Sequence, residues 1–209
     1  MLKKSSVFYR RAKTAFFAYL ADISHGLSAL EMTLFENEHG RFSLHKAFDV
    51  NYLDPVRHYV NWKRATNRWD DYDEYQRAID FLAGLQERPS IWFDTHILTA
   101  DDTVSGVLLI VGGGISSIEN RFKIDAEEQS LLLKYFHIVN KGKGVGSFWL
   151  SSVIIPHYHA KKFRQIYVSS SHEQSFPFYE RLGLCIADYQ QLSDNRIFQR
   201  QGKCFVIKI

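Results

Sequence analysis

Six consecutive residues, Lys141-Gly142-Lys143-Gly144-Val145-Gly146, separate an apolar run (Leu131 to Val139) from a segment with helical patterning. A strand that runs through glycines into a helix aims several backbone N–H groups at one small volume. The helix dipole adds about half a positive charge there, which makes an anion site. Gly142, Gly144 and Gly146 permit positive φ and close approach of a ligand to the backbone. Lys141 and Lys143 add fixed charge. The stretch from Lys141 to Ser147 therefore reads as a pyrophosphate cradle. It is not a dinucleotide fingerprint, because Ser147 stands where the third glycine of G-x-G-x-x-G belongs and no acid about 20 residues on is placed for a ribose. The nucleotide-triphosphate string G-x-x-x-x-G-K-[ST] is absent.

A second stretch narrows the reading. After the β-type run Phe163 to Val168 come Ser169 to Ser171 and then HEQSFPFYERLGL, His172 to Leu184. Together the two stretches resemble the GNAT superfamily of N-acetyltransferases. Its acyl-CoA loop carries Gln or Arg, two residues, Gly, one residue, and Gly or Ala. Its later motif has a strand-ending valine, an Asn four residues on, and a helix ending in F-Y-E-[KR]-x-G-[FL]. Val168, Phe178, Tyr179, Glu180, Arg181, Gly183 and Leu184 fall at the matching places. Lys141 replaces Gln or Arg, His172 replaces Asn, Ser175 replaces Ala, and Pro177 should kink the helix or keep it short. The resemblance covers roughly residues 91–209.

The resemblance implies an acyl-CoA co-substrate, acetyl-CoA by default, lying in a V-shaped opening beside the central strand, with no metal. Backbone groups of Phe136 and Ile138 would bond the pantetheine as an added strand does. The amides of Lys141, Gly142, Lys143, Gly144, Val145, Gly146 and Ser147 would hold the pyrophosphate. His137 and His172 would lie beside the cofactor, and Tyr179 would protonate the departing thiolate. The acceptor would be a small-molecule or protein amine, and a homodimer is kept open. Two other classes share the motifs: a non-catalytic CoA-binding module, and a toxin-like transferase acting on charged tRNA. The second wants a basic stripe, which scattered Lys and Arg residues and a net charge of +3 do not provide.

The elements that must position these residues are legible in outline. With 209 residues, 45% hydrophobic and 23% charged, the chain can bury one core. The fold class expected is α/β (α+β): a GNAT-like mixed central sheet flanked by helices, with an N-terminal helical extension. We read 1–209 as a single domain, with 1–40 an added helix and strand, 41–90 a helical acceptor-side part and 91–209 the acyl-CoA-binding core. Phe8, Ala12, Ala15, Phe16, Tyr19 and Leu20 recur at helical spacing before a stop at His25-Gly26. Leu30 to Phe35 and Phe42 to Phe48 suggest strands around Glu36 to Gly40. Asp54-Pro55 starts a helix to about Arg64, and Asp70 or Asp71 caps another through Leu85. Ile91 to Leu98 and Val104 to Val111 form a hairpin about Asp101-Asp102. Further strands are expected at Phe163–Val168, Cys185–Tyr189 and Lys203–Ile209. No apolar run approaches membrane-spanning length, and no targeting segment stands out. Two cysteines, Cys185 and Cys204, read as buried thiols of a cytoplasmic protein.

The general base is less defined. Its usual places near the start of the central strand fall on Ser130 and Leu132, leaving Glu127, Glu128 and His96 as alternatives. Asp70, Asp71, Asp73 and Glu74 could attract a cationic amine, but the run DDYDEYQR reads more simply as a solvated face. His157 and His159 read as helix-end residues, since no acidic or cysteine cluster accompanies them.

Overall fold

Leu131, Leu132 and Leu133 are all buried, so their strand is covered on both faces and shows no alternation. This strand, β5 (Ser130–Ile138), lies inside a mixed sheet. The structure, a computed structural model, describes residues 31–85, 87–193 and 195–209. The helix expected over Phe8 to Leu20 and the stop at His25-Gly26 lie outside the described residues.

The other strands are β1 (Glu31–Asn37), β2 (Gly40–His45), β3 (Ile91–Ala100), β4 (Thr103–Gly113), β6 (Gln165–Ser170), β7 (Leu184–Leu192) and β8 (Gln199–Lys208). Their order in the sheet is β1-β2-β3-β4-β5-β6-β8-β7. Every pairing is antiparallel except β5 with β6. A parallel pair needs a long crossover, and here it is helical: α3 (Val145–Phe148), a π-helical stretch (Trp149–Ile154) and α4 (Ile155–Ala160). The other helices are α1 (Asp54–Ala65), α2 (Glu74–Leu85) and α5 (Phe176–Glu180).

The sheet separates two apolar clusters. Val56 of α1 and Ala78, Ile79 and Leu82 of α2 pack on Val107, Leu109 and Leu132. On the other face, Trp149, Leu150, Ile154 and Tyr158 pack on Leu108, Ile110, Leu131 and Leu133. The alternation Val107/Leu109 against Leu108/Ile110 is the period of two that assigns each β4 side chain to one layer.

Local chemistry explains most boundaries. Pro55 sits in the first turn of α1, where its missing N–H costs nothing. Asp101 and Asp102 both take positive φ, 49° and 55°, the conformation of a two-residue hairpin turn. Several expectations shift. The first hairpin turns more tightly than read, because Asn37 Oδ1 accepts the His39 N–H at 2.9 Å and Gly40 takes φ 122°. Asp73, not Asp70 or Asp71, caps α2, with Oδ1 accepting the Gln76 N–H at 3.0 Å. Cys204 is buried, but Cys185 is exposed because the outermost strand β7 has one face open; both thiols are free. Among the described residues no helix is long and apolar enough to cross a membrane.

Candidate active site

The parallel pairing of β5 and β6 runs only from Ser130↔Gln165 to Leu133↔Val168. Beyond it the strands part. β5 stays with β4 through Val107↔His137 and Gly106↔Ile138, while β6 stays with β8 through Ser169↔Cys204 and Ser170↔Lys203. The divergence begins at a bulge, where the β4–β5 register shifts between Val107 and Leu109 and Tyr135 takes φ 50°. The Val139 N–H donates to Ser105 O at 2.9 Å, so the alternation of strand groups turns the amides and carbonyls of Phe136 and Ile138 away from β4 and into the gap.

The gap opens toward the glycine loop. Gly142 and Gly144 have φ of 85° and 77°, and a Cβ at either would meet open space. A side chain at these positions would be strained yet unobstructed, which describes a concavity shaped by backbone. The Phe148 N–H closes the first helical turn on Gly144 O at 3.0 Å, leaving the preceding amides without intrahelical partners. Gly146 forms the floor, where a Cβ would lie 3.4 Å from Ile138 and 3.5 Å from Phe136. Ser147 follows in the first turn of α3, and Lys143 is exposed. Lys141 leans away from the loop, its ammonium 4.0 Å from the centre of the Tyr59 ring on α1; burial and Lys63 oppose its charge.

A cavity of about 170 Å³ occupies the gap. Phe136 and Tyr179 line it on the crossover-helix side. Tyr179, at the end of α5, packs between Phe178 and Phe205 with ring centroids 5.0 and 5.4 Å away. Burial raises its phenol well above the ordinary tyrosine value. The helix α5 is short, five residues, and Pro177 sits in its first turn, where its missing N–H is tolerated. Gly183 follows because its Cβ would lie 2.3 Å from Val206 O.

His137 and His172 face the other layer. The His137 ring is 5.4 Å from Tyr59, and burial, reinforced by Lys141, His172 and Lys63, pushes its pKa down to about 3. His172 lies 5.9 Å from Tyr59, and its Nε2 comes within 3.0 Å of Glu74 Oε1 without making a hydrogen bond. Ser175 has a local role: its hydroxyl donates to His172 O at 2.7 Å and meets Ser170 Oγ at 2.8 Å, tying the β6–α5 loop.

The sequence matches no family model and no curated protein. Solved structures do match. The acetyltransferase that modifies the N-terminal serine of ribosomal protein L7/L12 from Salmonella typhimurium superposes with a TM-score of 0.54 at 14% identity, over 85% of this chain and 99% of that one. RimL, a ribosomal L7/L12 alpha-N-protein acetyltransferase, gives 0.53 at 13% identity over 87% and 97%. The ribosomal-protein-alanine N-acetyltransferase from Brucella melitensis gives 0.50 at 10% identity over 79% and 99%. The chain has the GNAT fold. In it the divergence of β5 from β6 and the loop at the start of α3 stand where the sequence motifs anticipate them.

The three base candidates do not reach the opening. His96 is fully buried on β3, where Nε2 is 2.8 Å from Tyr158 Oη and that hydroxyl donates to Asp94 Oδ2 at 2.8 Å. Burial holds it neutral, and it serves the core between sheet and α4. Glu127 precedes β5 and accepts the Ser116 N–H, and Glu128 is exposed; neither lines the cavity. His157 and His159 occupy a helix, where residues two apart do not share a face. His157 turns toward His96, and His159 is exposed.

The acidic run is not a solvated face. Glu74 is 2% exposed and lines the cavity. Its Oε1 accepts Lys63 Nζ at 2.7 Å, and the same ammonium donates to Asp70 Oδ1 at 2.6 Å and Tyr72 O at 2.7 Å. One signal was readable: Glu74, Ala78, Leu82 and Leu85 follow helical spacing, which sets a carboxylate on an apolar stripe.

Proposed function

We propose that this chain is an acyl-CoA-dependent N-acyltransferase, with acetyl-CoA as default donor, acting on a primary amine by direct attack in a ternary complex. The observation that carries this reading is the splay of β5 from β6 past Leu133 and Val168, which opens onto the glycine loop and leaves the backbone of Phe136 and Ile138 free. A pantetheine arm fits there as an added strand. The loop amides before Phe148 suit a pyrophosphate.

The amine's lone pair forms the new C–N bond at the thioester carbonyl carbon. An N–H of the bulged part of β5 meets the oxyanion that attack generates, a donor type worth about 3 kcal/mol. The C–S bond breaks, and the sulfur takes the Tyr179 proton. Burial keeps that phenol protonated at neutral pH, as an acid needs. A protein N-terminus is one acceptor the reading admits, given what the structurally similar enzymes acylate. A cytoplasmic setting accords with two free thiols.

The test is thiol release from acetyl-CoA across a panel of amines and peptide N-termini. Amine-dependent release supports the reading. Acetyl-CoA binding without release for any amine or peptide favours a CoA-binding module instead.

A further inference from the structure

The cavity beside Tyr179 holds a charge that the cofactor does not need. Glu74 Oε2 is buried and has no hydrogen-bond partner among the described residues, although Oε1 of the same carboxylate is held by Lys63. A buried carboxylate oxygen without a donor is costly, and here it belongs to a residue that lines the opening opposite Phe136 and Tyr179. The anchoring is firm. Lys63 is 2% exposed and directs three hydrogen bonds to Asp70, Tyr72 and Glu74, while Arg200 fixes the far oxygen of Asp70 at 3.1 Å.

We propose that Glu74 is the acceptor-binding and proton-accepting residue of this site, and that the acceptor is a primary alkylammonium whose nitrogen meets Glu74 Oε2. This deepens the N-acyltransferase reading and rests on it. A metal ion among Asp70, Glu74 and His172, whose ligand atoms lie within 4.8 Å of one another, is the competing use of the same cluster. The position between Asp70 and Glu74 is already filled by the Lys63 ammonium, so the cluster has its internal cation and one oxygen to spare. The rings of Tyr72, Tyr135 and Tyr189 line the same cavity and suit an alkylammonium, packing on its stem and offering ring faces to its cation.

The proton account closes. The ammonium gives one proton to Glu74 Oε2, which frees the lone pair that forms the C–N bond. The C–S bond breaks and the thiolate takes the Tyr179 proton. The N-protonated amide that remains gives its surplus proton to water, which re-protonates Tyr179, and the proton on Glu74 leaves to solvent. The sum is amide, free thiol and one released proton.

The experiment uses the full chain saturated with CoA, titrated by NMR with n-butylamine (cationic at neutral pH) and with n-butanol as the neutral match. Wild type should bind n-butylammonium at least tenfold more tightly than n-butanol. Glu74→Gln should erase that preference while CoA affinity stays within twofold. Glu74→Asp keeps the charge beside Lys63 but withdraws it from the cavity, so it should lose most of the preference, and it carries the test should Glu74→Gln fail to fold. In turnover, both variants should raise KM for n-butylamine and lower kcat. Equal binding of amine and alcohol by wild type, or an undiminished preference in either folded variant, overturns the proposal while intact CoA binding leaves the acyltransferase reading standing. Failure to bind CoA at all overturns both.

Discussion

Replacing Tyr179 by Phe removes one oxygen from the wall of the opening and little else. The ring keeps its contacts with Phe178 and Phe205, and the hydroxyl makes no hydrogen bond to a described residue that the change would break. Folding stability should therefore change by less than about 1 kcal/mol, and acetyl-CoA affinity should stay within about threefold. Turnover should not. If the phenol protonates the leaving thiolate, its loss lowers kcat by about 10²–10⁴, or roughly 3–5 kcal/mol of barrier. The assay is thiol release under saturating acetyl-CoA with the best amine found, together with calorimetry of acetyl-CoA binding on the same preparations. A folded Tyr179→Phe protein that retains more than about a third of wild-type kcat would refute the general-acid role and leave Tyr179 as a packing residue.

Gly144→Val should weaken acetyl-CoA binding at least tenfold by calorimetry: φ 77° strains an L-residue by about 1–2 kcal/mol, and the side chain would enter the concavity. Lys63→Met should destabilise the fold by about 3–5 kcal/mol in denaturant unfolding, because it leaves Glu74 charged and buried without its cation. Gly183→Ala should cost about 2–4 kcal/mol in the same assay, since the new Cβ would overlap the Val206 carbonyl at 2.3 Å. His137 adds a pH dependence. Its folded pKa of about 3 lies below the unfolded value near 6.5, so its contribution is complete above pH 6.5 and is lost as pH falls toward 3. Between pH 7 and pH 5 this alone removes about 2 kcal/mol, and His137→Gln should flatten the profile by about that amount.

Local signals were readable and distant ones were not. Pro55, the Asp101-Asp102 turn and the glycines of 142–146 impose their conformations on their own neighbours, so α1, the β3–β4 hairpin and the start of α3 lie within a few residues of where the sequence alone puts them. Glu74 was misread because its burial depends on Lys63, eleven residues earlier, and on the approach of His172 from the loop between β6 and α5. Asp70 shows the same effect. Its link to Arg200 spans 130 residues, and although burial opposes its charge, Lys63 and Arg200 prevail and lower its pKa. The bulge at Tyr135 carries no glycine to announce it; the left-handed backbone there is imposed by the pairing of β4 with β5. His96 looked available because a histidine on a strand shows nothing of the helix that covers it.

Calorimetric titration of the purified chain with acetyl-CoA tests the central claim most directly. The splayed strands and the glycine loop predict saturable one-to-one binding in the micromolar range, about −8 kcal/mol, lost in Gly144→Val. No binding of acetyl-CoA or of longer acyl-CoAs by folded protein would contradict the account, and the loop would then be a turn between β5 and α3 and nothing more.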